Sequence, residues 1–231
     1  MAARNRREIL DLLTKRQDPQ QLLTFFQGLS EGLASAFANS ARKVPAISSD
    51  RPAVSARGNL RRMLLDHAFR AAADSAGFKI NTGLTVPPTW SYPIARIGGF
   101  SLTIGIVDRQ YVEAQLRLRN RGRYVRELSA RNKPLNPQSS FFDDTSSEVA
   151  VVTPSGAFGA LVVVEPSMQV PDSPMYVGFW VPSPNLKRAY YRCTLEFLVR
   201  ELRAKVDAGK AIERVALVRK KPKLRRQFRK P

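Results

Sequence analysis

The chain has 231 residues, 43% of them hydrophobic, and sets 38 Lys or Arg against 19 Asp or Glu for a net charge of +19. That apolar fraction supports a packed core and excludes global disorder, while the longest apolar runs, such as 157–164, fall far short of the roughly 20 residues that a membrane-spanning helix needs. One cysteine, Cys193, and one histidine, His67, exclude an internal disulfide and any Cys-rich or His-rich metal cluster.

The N-terminus is basic but soon meets Glu8 and Asp11, without the apolar stretch of a signal peptide. Together with the lone thiol this predicts a cytoplasmic protein. Residues 5–39 read as helical, broken at Asp18-Pro19, where Pro19 suits the first position of a new helix. Leu22, Leu23, Phe26, Leu29, Leu33 and Phe37 then recur at three- and four-residue steps, an amphipathic stripe that the main core would cover. Pro45, Pro52, Gly58 and several serines mark a loop over 40–58. The organisation expected is an N-terminal helical element (1–44), a linker (45–58), a core domain (59–213) and a basic tail (214–231).

Asn59 is a candidate cap for a helix from Leu60 to about Ala76, stopped by Gly77. Its predicted apolar stripe is Leu60, Met63, Leu64, His67, Ala68, Ala71 and Ala72, which makes His67 a core histidine. Arg57, Arg61, Arg62 and Arg70 fall off that stripe as a strip for phosphates. Strands are expected over 92–97 and 100–107, joined by the two-residue turn Gly98-Gly99. Residues 109–131 read as a basic helix carrying Arg109, Arg117, Arg119, Arg121, Arg123, Arg126 and Arg131 against Glu113 and Glu127.

A polar loop, 132–147, follows. Strands 148–153 and 157–164 flank Pro154-Ser155-Gly156 as a second hairpin, and 175–181 is a further strand. The spacing of Leu186, Tyr190, Cys193 and Phe197 predicts a helix over 186–208, stopped by Gly209. The fold class is therefore α+β: an antiparallel sheet of about five strands with helices packed on one face and a disordered basic tail.

From Arg214 to the end there are nine Lys or Arg and no Asp or Glu. A basic tail on a basic body points to nucleic acid, bound through its phosphates. The residues expected to bind are Arg117, Arg119, Arg121, Arg123 and Arg126 on the helix. In the tail they are Arg219, Lys220, Lys221, Lys223, Arg225, Arg226, Arg229 and Lys230. Tyr190 and Tyr191 stand beside Lys187, Arg188 and Arg192; packing predicts Tyr190 in the core and Tyr191 half-buried, with base stacking as the functional alternative. Trp90 and Tyr92 are the other aromatics near basic residues.

Two other function classes compete. Asp108 and Glu165 end apolar strands, as the carboxylates of Mg²⁺-dependent nucleases do. The Glu-x-Lys expected of a restriction-endonuclease-like core is missing, since Pro166-Ser167 follows Glu165. Mg²⁺ is the one cofactor in view, and only under that reading. Cys193 and His67 read as packing residues, so no nucleophilic site is expected. In the third class the N-terminal helices, through Leu22, Phe26, Leu29 and Leu33, are a homodimer or partner surface.

Overall fold

The structure is a computed structural model and describes residues 9–14, 17–43, 51–84, 90–107, 123–135, 158–167, 170–186 and 188–220, without the side chains of 51–54, 123 and 211–220. Helix α1 covers 9–14, followed by α2 (Pro19–Lys43), α3 (Arg51–Ser75), β1 (Ile80–Leu84), β2 (Ser91–Ile97), β3 (Phe100–Ile106), α4 (Arg123–Ala130), β4 (Phe158–Pro166), β5 (Pro174–Pro182), β6 (Ala189–Thr194) and α5 (Leu195–Lys220). The six strands form one sheet in sequence order, β1 to β6. Neighbours are antiparallel except β3 and β4, which run parallel in register from Phe100↔Phe158 to Ile106↔Val164. A parallel pair needs a long crossover, and the chain that makes it carries α4. The molecule is α+β, with one strand more than composition suggested and with that parallel pair.

The break at Asp18-Pro19 is where α2 begins. Asp18 Oδ1 accepts from Gln20 N at 2.9 Å, capping the helix ahead of Pro19. Leu22, Leu23, Phe25, Phe26, Leu29, Leu33 and Phe37 are all buried in the main cluster. The aromatics knit the layers: Phe25 meets Phe69 of α3 edge-on at 5.6 Å, and Phe26 meets Phe179 of β5 at 6.0 Å. Burying one such ring stabilises the fold by about 1.5–3 kcal/mol. Because Leu22, Phe26, Leu29 and Leu33 are each 0% exposed inside their own chain, they are not a surface for a second copy.

Several expectations are corrected. Helix α3 starts at Arg51, inside the stretch that composition marked as linker, with Pro52 in its first turn. Its buried face is Leu65, Ala68, Phe69, Ala72, Ala73 and Ala76, rotated from the predicted stripe; Met63 is 60% exposed and His67 lies on the surface. The bulk of Leu65 and Phe69 decides the rotation, since those two gain most by burial. Residues 189–194 form a strand, not a helix, because Tyr191 and Cys193 alternate with exposed Arg192 and Thr194 against β5. Thr194 then caps α5, its Oγ1 accepting from Phe197 N at 3.2 Å. Gly209 does not end that helix, which continues to Lys220; one internal glycine costs only about 1 kcal/mol against Ala. Helical backbone thus reaches into the segment expected to be a disordered tail, and residues 221–231 lie outside the described residues.

The expected hairpin of 148–153 with 157–164 also fails. β4 is flanked by β3 on one edge and β5 on the other, and 148–153 lie outside the described residues. The sheet separates two apolar layers. Helices α1, α2, α3 and α5 cover one face over Ala95, Leu102, Ile104, Val162, Phe179 and Cys193. On the other face, Val125 of α4 packs with Val107, Leu161, Val163, Trp180 and Leu186. Among the described residues helices therefore lie on both faces, with four on one side and α4 on the other.

Candidate nucleic-acid interface

Helix α4 is the described end of the 109–131 segment. Tyr124 stacks on Tyr92 of β2 at 4.1 Å, and Leu128 is buried where α4 meets β4. The contact is so close that a methyl on Gly159 would meet the Leu128 carbonyl. Beyond α4 the chain turns through Asn132, which is wholly buried. Its Nδ2 donates to the carbonyls of Gly159 (2.9 Å) and Pro182 (2.7 Å), and its Oδ1 accepts from Gly159 N at 2.8 Å. One amide thereby clamps the turn to the start of β4 and the end of β5.

That clamp sets the basic residues on either side of it. Arg131 Nη1 donates to Ser101 Oγ at 3.1 Å, and Ser101 is the cross-strand partner of Arg96. Ser101 is thus neighbour to both arginines, to Arg131 by a hydrogen bond and to Arg96 by strand pairing. Lys133 follows Asn132. Pro182, which Asn132 holds, pairs with Ala189, the neighbour of Arg188. The loop before β6 is fixed by Ser183, whose N donates to the Arg188 carbonyl at 2.8 Å while its Oγ accepts from Arg188 N at 3.2 Å. Within that loop Leu186 adopts φ 58° and is held there by burial under the α4-side cluster.

Arg96, Arg131, Lys133 and Arg188 thus form a row at the end of the sheet where β2 stops and β3, β4 and β6 start. Four interstrand steps separate β2 from β6, about 19 Å at the usual strand spacing. The row extends onto β6: Arg188 lies over the Tyr190 ring, 5.6 Å from its centroid, and Arg192 is exposed on the same strand. Partial burial raises the Tyr190 pKa, and the nearby Arg188 opposes that rise. The two ion pairs formed between described side chains are Arg62–Asp66 at 3.2 Å and Lys205–Asp11 at 3.1 Å. Neither includes a member of the row, and both lie on the helical layer.

The residues expected from sequence divide as follows. Arg126 is exposed on α4. Arg123 has its backbone in α4, and Arg219 and Lys220 have theirs in α5. Arg117, Arg119, Arg121, Lys221, Lys223, Arg225, Arg226, Arg229 and Lys230 lie outside the described residues, as does Asp108. Glu165 is the last residue but one of β4, opposite Tyr176, and is only 1% exposed. Among the described residues no three His, Cys, Asp or Glu side chains gather as metal ligands would.

The second basic strip does not hold together as one surface. Arg62 is drawn to Asp66, Arg70 donates to Thr82 Oγ1 at 3.3 Å, and Arg61 is buried. The tyrosines exchange their expected places: Tyr191 is the core residue, 4% exposed, and Tyr190 the half-buried one. Sequence reasoning missed Arg96, Lys133 and Arg188 as a group because they are far apart along the chain. Asn132, inside a stretch read as a polar loop, gave no signal beyond its type.

A groove of about 260 Å³ between α2 and α3, lined by Gly28, Gly32, Ser35, Asn39, His67 and Ala71 among others, follows the close crossing of those helices. Its lining includes no Lys or Arg, and it stands apart from the row. No helix among the described residues is long and apolar enough to cross a membrane. No protein-family model, no curated protein and no solved structure matches the chain, so its own residues carry the functional reading.

Proposed function

We propose that this is a nucleic-acid-binding protein that contacts the phosphate backbone through the basic end of its sheet and through its basic C-terminal segment. The observation that carries the reading is the row of Arg96, Arg131, Lys133 and Arg188, which takes no part in either ion pair formed between described side chains. Along one strand a duplex presents a phosphate for about every 3.4 Å of axis, so a row of about 19 Å has room for several contacts. Tyr190 adds a ring, backed by Arg188, on which an unpaired base can stack.

The segment 221–231 holds six Lys or Arg and no acid. It supplies capture at a distance, and the folded row supplies a fixed footprint. A reducing, cytoplasmic setting suits the single cysteine, which is buried.

The test is a titration of duplex DNA, single-stranded DNA and RNA against the full chain across a salt series. Tight binding at low salt that falls linearly in log–log form supports the reading. Absence of affinity for all three at moderate salt would refute it.

A further inference from the structure

β6 is an outer strand of the sheet, and among the described residues no strand pairs with it on the side away from β5. Tyr191 and Cys193 turn into the core on the helical side, so strand alternation turns Tyr190, Arg192 and Thr194 to the other face. Arg192 and Thr194 are exposed, and Tyr190 is half-buried. Just ahead of them the exposed Arg188 sets its guanidinium 5.6 Å from the centre of the Tyr190 ring.

The pattern repeats where the strand passes into α5. Phe197, in the first turn of that helix, is half-buried, and the exposed Arg200 lies over its ring, 5.1 Å from the centroid. One ring with its guanidinium thus stands near each end of β6. The strand between them covers about 13 Å from Tyr190 to Thr194. Residues 188–200 hold three Arg against one acid, Glu196. None of the three takes part in the ion pairs formed between described side chains.

Guanidinium groups alone serve any polyanion, because a phosphate is the same on a duplex and on a single strand. Aromatic rings discriminate. Bases in a duplex are already stacked on one another, whereas an unpaired base offers its face to a ring or to a guanidinium plane. We infer that the partner is single-stranded nucleic acid, laid along the outer edge of β6 with unpaired bases on Tyr190 and Phe197 and phosphates on Arg188, Arg192 and Arg200. The inference rests on the nucleic-acid reading and narrows it: the row at the end of the sheet supplies charge, and this edge selects the unpaired form.

Fluorescence anisotropy of the full chain tests it, with a labelled single-stranded DNA, an RNA of the same sequence and a duplex of the same length. Both single strands should bind about tenfold more tightly than the duplex. Tyr190→Leu should lower single-strand affinity by about fivefold or more. It should leave duplex affinity and the salt slope unchanged, since no charge is removed. Tyr190→Phe keeps the ring and should keep the affinity. Phe197→Leu should act as Tyr190→Leu does, with circular dichroism establishing that each variant is folded. Ultraviolet cross-linking of the unaltered chain to the single strand, read by mass spectrometry, needs no substitution and should find contacts within 188–200. Equal affinity for duplex and single strand would overturn the inference and leave phosphate binding by the row standing. So would equal losses for both forms on Tyr190→Leu, or the absence of any cross-link within 188–200. No affinity for any of the three would overturn both.

Discussion

Asn132 grips Gly159 from both sides: Nδ2 donates to the Gly159 carbonyl at 2.9 Å, and the Gly159 N–H donates to Oδ1 at 2.8 Å. The third bond of the amide, to Pro182 O at 2.7 Å, crosses to β5. An aspartate keeps the acceptor but loses both donations. At roughly 1 kcal/mol for each buried bond removed, Asn132→Ala, which removes all three, should cost about 3 kcal/mol, and Asn132→Asp, which removes two, about 2 kcal/mol. Urea unfolding measures that loss, and nucleic-acid affinity should fall with it because Arg131 and Lys133 flank the clamp.

Gly159 is glycine because α4 lies directly on it. A methyl there meets the Leu128 carbonyl, and backbone cannot rotate away as a long side chain would. Gly159→Ala should therefore destabilise the fold by about 3 kcal/mol, the upper range for overpacking. Placed at Gly105, which has open space around its Cβ position, the same substitution should cost far less. Thermal unfolding of the two variants checks the contrast.

Asp66 supplies a pH dependence. Burial raises its carboxyl pKa above the ordinary value, and Arg62, followed by Arg70, only partly opposes that. The folded state therefore binds this proton more tightly than the unfolded chain does. Its contribution to stability is full below the unfolded carboxylate value and is lost as pH rises through the folded one. Asp66→Asn should remove that decline, so unfolding free energies measured from acid pH to neutrality should fall less steeply for the variant.

Deleting 221–231 leaves α5 whole to Lys220 and removes six basic residues. Each neutralised phosphate contributes about 0.7 to 0.9 to the salt slope, so the slope should flatten by up to about 5. Fluorescence anisotropy with labelled duplex and single strand over a salt series measures this. Residual binding by the shortened chain reports the folded body, the row included.

Much of the fold was legible because local signals agreed. Asp18-Pro19 marks a helix start, Gly98-Gly99 joins β2 to β3, and the stripe of α2 is the buried one. Reading failed where two periods fit the same residues. Leu186, Tyr190, Cys193 and Phe197 satisfy a helical step, yet Tyr191 and Cys193 also satisfy a strand's alternation, and pairing with β5 decides between them. β1, short and mostly exposed as Ile-Asn-Thr-Gly-Leu, carries almost no apolar signal. The candidate interface was less legible still: charge announced a polyanion partner, but the row is built from three segments that only the sheet brings together.

The most direct measurement is the salt dependence of nucleic-acid binding by Arg96→Gln/Arg131→Gln/Arg188→Gln, set beside that of the unaltered chain. At about 0.9 for each phosphate no longer neutralised, the log–log slope should fall by about 3, with affinity dropping for duplex and single strand alike. A slope and affinity unchanged in the folded triple variant would contradict the account.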